Sequence, residues 1–165
     1  MNLIVARSPS SEFCGGTHGT GDVHGRQSAA SGMMASMTSM VEAVVAAGWL
    51  AVRDDGRVRL DLLEAAHSEP RLRRLFPWTG MGELHFSRCT EWPWGWDIPY
   101  IEPVKGGAYR VAGPSRSEIV GPAATAREAV AMVVERLPPG ADAVFLGRWD
   151  ELVAHEARDS RVDEQ

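Results

Sequence analysis

The sequence is short of lysine, of cysteine and of positive charge. Of its 165 residues, 17 are basic, all but Lys105 being Arg, whereas 22 are acidic, and the formal net charge is −5. This balance argues against a general nucleic-acid-binding protein, because such proteins need clustered cations to neutralise phosphate. Two cysteines, Cys14 and Cys89, fit a reducing compartment such as the cytoplasm better than a secreted scaffold built on disulfides.

Long apolar runs and catalytic signatures are also missing. No run approaches the roughly 18 uncharged apolar residues of a membrane-spanning helix, and the first residues do not read as a secretion signal, so we expect no membrane contact. Walker, G-x-S-x-G and H-E-x-x-H motifs are absent, which argues against a conventional nucleotide enzyme or hydrolase. Cys14, His18 and His24 lack a fourth metal ligand and a compact zinc spacing, so we predict no metal site and no cofactor.

Residues 1–38 differ in composition from the rest of the chain. They are rich in Ser, Gly and Thr, their few charges cancel, and no apolar periodicity appears before Met33. Such a segment buries too little apolar surface to offset its chain entropy, so we expect a disordered leader. The alternative is that the protein starts at one of the methionines at positions 33, 34, 37 and 40. In both cases the net charge of −5 belongs to the residues after the leader.

Residues 39–157 are predicted to form a single α+β domain, followed by an acidic, frayed tail at 158–165. A capping box at Ser39–Glu42 begins a helix that we expect to end at Gly48. The turn Asp54-Asp55-Gly56, between alternating apolar residues, predicts a β-hairpin after that helix.

From Gly82 to Gly121 the hydrophobic period changes to two, which is typical of β-strands. Short links between consecutive strands predict a four-stranded antiparallel meander. N-terminal helices, including a helical turn from Pro70 to Phe76, precede the sheet, and a C-terminal helix capped by Thr125 is expected to pack on one face. The predicted strands cover residues 83–92, 96–104, 108–112 and 118–120.

Three tryptophans, Trp92, Trp94 and Trp96, fall within five residues at the junction of two predicted strands. Indoles offer large flat surfaces with one N–H donor, which suit stacking on a planar ligand, a sugar or a proline-rich peptide. Arg88 and Arg110, on predicted strands, are candidates to meet an anionic group of such a ligand. The competing interpretation is that the indoles pack in the core.

Another basic cluster, Arg71, Arg73 and Arg74, lies before the predicted sheet. Its guanidinium groups suit carboxylate or phosphate recognition. The alternative is a solvated surface that is paired to the surplus acidic residues.

The predicted strand that begins at Glu83 places His85, Ser87 and Cys89 on one face, and Asp97 could lie opposite on the next strand. Cys89 with His85 and an orienting carboxylate has the form of an activated thiol nucleophile. Alternatively, His85 and Asp97 serve as an acid–base pair. A structural cysteine and a hydrogen-bonded histidine form the competing interpretation.

Six segments carry distinctive motifs: 69–78 (EPRLRRLFPW), 84–90 (LHFSRCT), 96–99 (WDIP), 109–116 (YRVAGPSR), 128–134 (EAVAMVV) and 137–140 (LPPG). They resemble a small actinobacterial family of unknown function that is labelled natural product biosynthesis protein. The similarity covers roughly residues 41–147 and leaves the leader outside it. It implies a cytoplasmic protein associated with secondary metabolism, but no mechanism and no catalytic residue.

The sequence therefore favours a cytosolic accessory or binding protein of natural-product biosynthesis that holds a small molecule or peptide at its Trp-rich segment. One alternative is a cofactor-free cyclase or isomerase that uses His85 and Asp97, with Cys89 nearby. Another is a protein-interaction module with an immunity or regulatory partner. Neither nucleic acid nor membrane is an expected partner.

Overall fold

A computed structural model describes residues 24–162 of the chain. Within these residues, three helices precede a five-stranded sheet, and two helices follow it. The helices are α1 (His24–Asp55), α2 (Leu60–Ser68), α3 (Pro70–Arg73), α4 (Ala126–Val134) and α5 (Trp149–Val162). The strands are β1 (Phe76–Gly80), β2 (Glu83–Ser87), β3 (Tyr100–Pro103), β4 (Tyr109–Ala112) and β5 (Ile119–Ala123), with a short 3-10 turn at Pro114–Arg116 between the last two.

The sheet is antiparallel throughout, in the order β1-β2-β3-β4-β5. An α+β fold with one antiparallel meander is confirmed, but the predicted number of four strands is wrong. The additional strand is β1, where the sequence had predicted a helical turn reaching Phe76. Pro77 cannot continue a helix, and left-handed backbone at Met81 and Gly82 reverses the chain, so that Phe76 pairs with Ser87.

The predicted hairpin after Gly48 does not form, because α1 continues without a break to Asp55. Val45, Trp49 and Val52 are buried at helical spacing, and this stripe holds the helix against the sheet. A Cβ atom on Gly48 would lie 2.8 Å from the Phe76 ring, so this glycine permits close packing rather than ending the helix. Gly56 has a φ of 67° and ends α1 instead, its N–H donating to the carbonyl oxygen of Arg53.

The observed bounds of the first and last helices also differ from the predicted ones. Residues 1–23, within the predicted leader, lie outside the described residues, and α1 is already helical from His24, so Ser39 lies inside the helix rather than at its start. At the other end, α5 continues past Ala157 to Val162, into the segment predicted to fray. A helix held by packing extends at little cost through neighbouring Ala, Met and charged residues.

One segment is more apolar than the search for uncharged runs indicated. The part of α1 from Met33 to Asp55 has 23 residues and a mean hydropathy of 1.5 in its most apolar window, which is long and apolar enough to cross a membrane. The search for uncharged runs passed over this segment because Glu42 interrupts it, and a core helix can have the same length and composition. Of that window, 22% is buried inside the domain, where Val45, Trp49 and Val52 belong to the core.

The two faces of the sheet carry different residues. Leu84, Ile101 and Val111 are buried on one face, in register with one another, and join the core together with α4, which contacts β3, β4 and β5. The predicted cap of α4 is confirmed, since Thr125 Oγ1 accepts a hydrogen bond from the backbone N–H of Glu128. Because side chains alternate along a strand, the opposite face carries the residues between these core positions. That face holds His85 and Arg110, and Trp94 and Trp96 pack over it.

Candidate functional site

A column of four stacked rings covers the second face of the sheet. Trp78 lies directly opposite His85 in the β1–β2 register, and their ring centroids are 3.9 Å apart with planes at 12°. The imidazole stacks on Tyr100 of β3 at 4.4 Å and 16°. Trp94 stacks on the far side of Trp78 at 5.1 Å and 20°. Hence β1, β2, β3 and the loop between β2 and β3 each contribute one ring to what we term the aromatic column (Trp94, Trp78, His85 and Tyr100).

His85 belongs to a buried polar cluster as well as to the column. Its Nε2 lies 2.9 Å from Glu83 Oε2, and Arg116 Nη2 donates to both Glu83 oxygens at 3.1 and 2.8 Å. Glu83 and His85 are only 6% and 3% exposed. Burial lowers the pKa of His85 below its ordinary value, although the hydrogen bond to Glu83 opposes this. The imidazole is therefore neutral near pH 7 and donates to a carboxylate whose charge is balanced by Arg116.

The loop that carries Arg116 contains strained backbone and is held over the aromatic column by the contacts of its residues. Ser115 and Arg116 have φ values of 52° and 59°, in the left-handed region that non-glycine residues rarely adopt. The Ser115 N–H donates to the carbonyl oxygen of Trp96 at 3.0 Å, and the Arg116 guanidinium lies over the Tyr100 ring. These contacts, together with the salt bridge between Arg116 and Glu83, cover the polar cluster of Glu83 and His85.

The predicted acid–base pair of His85 and Asp97 is not brought together. Asp97 Oδ2 accepts from Arg88 Nε at 2.6 Å, while its Oδ1 is buried and has no hydrogen-bond partner among the described residues. The carboxylate beside His85 is instead Glu83. The sequence contained a signal for it, since residues two apart on a strand share a face, but only the register distinguishes a same-strand partner from a cross-strand one.

Cys89 is a free and fully buried cysteine in a structural turn. Its Sγ lies 3.2 Å from Ser87 Oγ, and that hydroxyl oxygen also accepts from the backbone N–H groups of Cys89 and Gly95 at 3.1 Å each. The only described hydrogen-bond partner of His85 is Glu83, so the cysteine and the histidine do not form a nucleophile–base pair. This arrangement fits a residue that fixes the start of the loop between β2 and β3.

The two arginines predicted to meet an anion already have carboxylate partners. Arg88 is buried and donates to Asp97 and to Glu156 of α5, so it ties that helix to the loop. Arg110 donates to Glu102 Oε1 at 2.6 Å across β3 and β4. A bound anion would have to compete with these pairs, and a role for either arginine in anion binding stays a prediction.

The three clustered tryptophans separate in the structure. Trp94 packs in the aromatic column, and Trp96 meets Trp78 and His85 edge-on while remaining 38% exposed. Trp92, joined to Pro93 by a cis peptide bond, is 74% exposed. Two of the indoles therefore use their surfaces within the fold, and only Trp92 presents most of its ring to solvent.

A groove of about 680 Å³ opens between α1, α3 and the segment 142–144. We term it the α1 groove. Val41, Val45 and Trp49 of α1 form an apolar wall, and Trp49 Nε1 donates to the carbonyl oxygen of Arg73 at 3.1 Å. The edge of the Trp49 ring also meets the His67 ring, with centroids 5.2 Å apart. The groove thus has a rigid aromatic residue fixed at one end.

Some of the charged residues that line the α1 groove form salt bridges and others do not. Asp142 lies 3.7 Å from Arg71, whereas Arg73 and Arg74 form no salt bridge with any described residue. Glu42 lines the same groove and has no salt bridge in the described part of the chain either. The basic cluster noted in the sequence therefore places two arginines, without salt bridges to described residues, in the lining of a cavity. Sequence reasoning missed the cavity because it assigned Trp49 to a strand.

No group of three or more metal-ligating side chains occurs among the residues that the structure describes. Cys14 and His18, weighed above as metal ligands, lie outside those residues.

Comparison with protein families gives one match. The model of a family of unknown function, DUF6193, matches residues 43–148. This range includes the wall of the α1 groove from Val45 onward, the whole sheet and α4. Comparison with curated proteins and with solved structures found no match. Because the matched residues make up more than half of the chain, the protein belongs to the DUF6193 family of unknown function.

Proposed function

We propose that this protein is a small-molecule-binding accessory protein and that its ligand occupies the α1 groove. The observation that carries the proposal is a cavity of about 680 Å³ with Trp49 at one end and unpaired arginines at its rim. Cavities of roughly 300–1,000 Å³ with an apolar lining and a few polar groups are typical of ligand sites. Binding is also the activity that needs no catalytic group, and the groove holds none in a catalytic arrangement.

The α1 groove is a better site than the Trp-rich segment. Trp94 and Trp96 are engaged with the aromatic column, whereas the half-buried Val41 and the exposed Arg73 and Arg74 line an open cavity. The expectation of a small molecule that meets arginine is kept in this proposal, but the residues change. Arg73 and Arg74 replace Arg88 and Arg110, and Trp49, which is 5% exposed, closes one end of the groove instead of offering an open ring for stacking.

The setting that we propose is secondary metabolism in the cytoplasm of a bacterium. The support is the sequence resemblance to proteins labelled for natural product biosynthesis and the presence of Cys89 as a free thiol. A pathway intermediate carried or presented by the protein is the corresponding ligand.

The enzyme alternative was predicted on His85 and Asp97, but the carboxylate beside His85 is Glu83. The side chains of Glu83 and His85 are buried beneath Trp78, Tyr100 and the Arg116 loop, so a substrate would have to displace that loop to reach the imidazole. The observed pairing is explained by stability alone. A protein-interaction module, the other alternative, stays a prediction.

The proposal is tested with the fluorescent probe 8-anilinonaphthalene-1-sulfonate, which combines an aromatic body with an anion. Ala46 lines the groove, whereas Ala47, its exposed neighbour on α1, does not. We expect Ala46→Trp to fill the groove and weaken probe binding at least about tenfold, because the apolar contact area is lost. Ala47→Trp should bind like the wild type. Thermal unfolding of both variants confirms that the fold is kept.

Equal probe binding by Ala46→Trp and Ala47→Trp would place the probe elsewhere and overturn the proposal. Absence of binding by the folded wild-type protein would overturn it as well.

A further inference from the structure

We infer that the ligand of the α1 groove is a monoanion with an apolar chain, its anionic head at Arg73 and Arg74 and its chain along α1. This inference rests on the proposed function and adds the chemical class of the ligand. It follows from the distribution of charge along the groove.

The cationic end of the groove is fixed by a backbone contact. Trp49 Nε1 donates to the carbonyl oxygen of Arg73, which places the start of this basic pair beside the indole. The guanidinium groups of Arg73 and Arg74 are exposed and form no salt bridge with a described residue, whereas the neighbouring Arg71 pairs with Asp142. Two free guanidinium groups beside an apolar wall suit a carboxylate or phosphate head group.

The apolar track runs from that end along one face of α1. Val41, Val45 and Trp49 line the groove with apolar side chains, and their spacing of four residues aligns them on a helix, while Thr38 continues the same face with a polar side chain. At a rise of about 1.5 Å per residue, the apolar track from Val41 to Trp49 is about 12 Å long. A flexible chain can bury its length there while its head stays at the arginines.

Glu42 makes the end of the apolar track near Val41 unfavourable for a second anion. It lies two helical turns before Trp49, about 10 Å along the axis, and has no salt bridge with a described residue. A carboxylate at each end of a ligand would therefore meet arginine at one end and Glu42 at the other. The only other carboxylate of the lining, Asp142, is paired with Arg71.

The test compares three probes with the same chain: octanoate, octanol and octanedioate. The affinity of the wild-type protein, measured by calorimetry or by displacement of the fluorescent probe, should be highest for octanoate. We expect octanoate to bind at least about tenfold more tightly than octanol, since a charge-assisted hydrogen bond contributes that much. Octanedioate should bind more weakly than octanoate because of Glu42.

Two sets of variants assign the effect to residues. In Arg73→Gln/Arg74→Gln the preference for octanoate over octanol should disappear, while octanol affinity stays unchanged. The matched control is Arg127→Gln/Arg158→Gln, which removes the same charge from two exposed arginines without described salt bridges. In Glu42→Gln the ratio of the octanoate affinity to the octanedioate affinity should be smaller than in the wild-type protein.

The outcomes separate this inference from the proposed function. Equal wild-type affinities for octanoate and octanol would overturn the inference while leaving the groove a ligand site. An octanoate preference that survives in Arg73→Gln/Arg74→Gln would overturn it too, as would self-association of the protein that octanoate reverses, since a second copy would then occupy the groove. Failure to bind any of the three chains or the fluorescent probe would instead remove the proposed function.

Discussion

The imidazole of His85 lies flat against the indole of Trp78, with centroids 3.9 Å apart and planes at 12°. Tyr100 stacks on its other face, so both faces of the imidazole are covered, while one edge carries the hydrogen bond to Glu83. A side chain with this many contacts contributes to stability through packing as well as through its hydrogen bond.

His85→Ala should therefore lower the free energy of unfolding by about 2–4 kcal/mol, because it opens a cavity and removes a buried hydrogen bond. Urea unfolding followed by tryptophan fluorescence measures the loss. His155, which is half-exposed on α5, provides the control, and His155→Ala should change stability little. Equal losses in the two variants would contradict the structural role of His85.

The stability of the protein should depend on pH through the same residue. Burial lowers the pKa of His85 below its ordinary value of 6.5, so the unfolded chain binds the proton more readily than the folded protein. Stability is then fully present above about pH 6.5 and declines as the pH falls through that value towards the lower folded pKa. Unfolding free energies at about pH 7.5 and about pH 5.5 measure this difference. In His85→Gln the decline over this interval should be smaller, and an unchanged decline would assign it to other groups.

Arg116→Gln should destabilise the protein by about 1–3 kcal/mol, because Glu83 would remain buried without its cation. The loss should be smaller when Glu83 is replaced at the same time, so the cycle of Glu83→Gln and Arg116→Gln is non-additive. Arg110→Gln serves as the comparison, because it breaks a pair whose carboxylate, that of Glu102, is more exposed than the carboxylate of Glu83. Additive losses at Glu83 and Arg116 would show that the two groups do not interact.

Gly48→Ala should destabilise the protein by about 1–3 kcal/mol, although Ala is the better helix former, because the new Cβ would overlap the Phe76 ring. Thermal and urea unfolding measure the effect. Phe76→Leu introduced with it should recover part of the loss by making room. If Gly48→Ala instead stabilises the protein, α1 does not approach β1 as closely as the structure shows.

Cys89 should resist alkylation in the folded protein. Its thiol is fully buried and contacts Ser87, so iodoacetamide should react only as the protein unfolds, and the rate should follow the denaturant dependence of unfolding. The experiment uses a Cys14→Ser background. Rapid reaction under native conditions would restore the hypothesis of an accessible nucleophile.

The predictions that succeeded from the sequence depended on local chemistry. The cap at Thr125 and the α+β class follow from patterns within a few residues, and the structure contains both. The hairpin at Asp54-Asp55-Gly56 failed because this turn type also ends a helix. Whether α1 continues through Gly48 depends on Phe76, a contact between distant residues that no local pattern contains.

The same limit applies to the candidate sites. The predicted pair of His85 and Asp97 does not form, because the carboxylate beside His85 belongs to Glu83 on the same strand, while Asp97 accepts from Arg88. Arg73 and Arg74 could be noted as a basic cluster from the sequence. Their position beside Trp49 required the packing of α3 against α1.

The contact between Gly48 and Phe76 joins two regions that otherwise lie apart. Phe76 stacks on Trp94 at one end of the aromatic column, and Gly48 adjoins Trp49 in the wall of the α1 groove. Because no side chain separates the backbone of α1 from the Phe76 ring here, a displacement of α1 would be transmitted directly to that ring. Occupation of the groove should thus alter the emission of Trp78 and Trp94, so that the protein carries an intrinsic optical reporter of its own ligand.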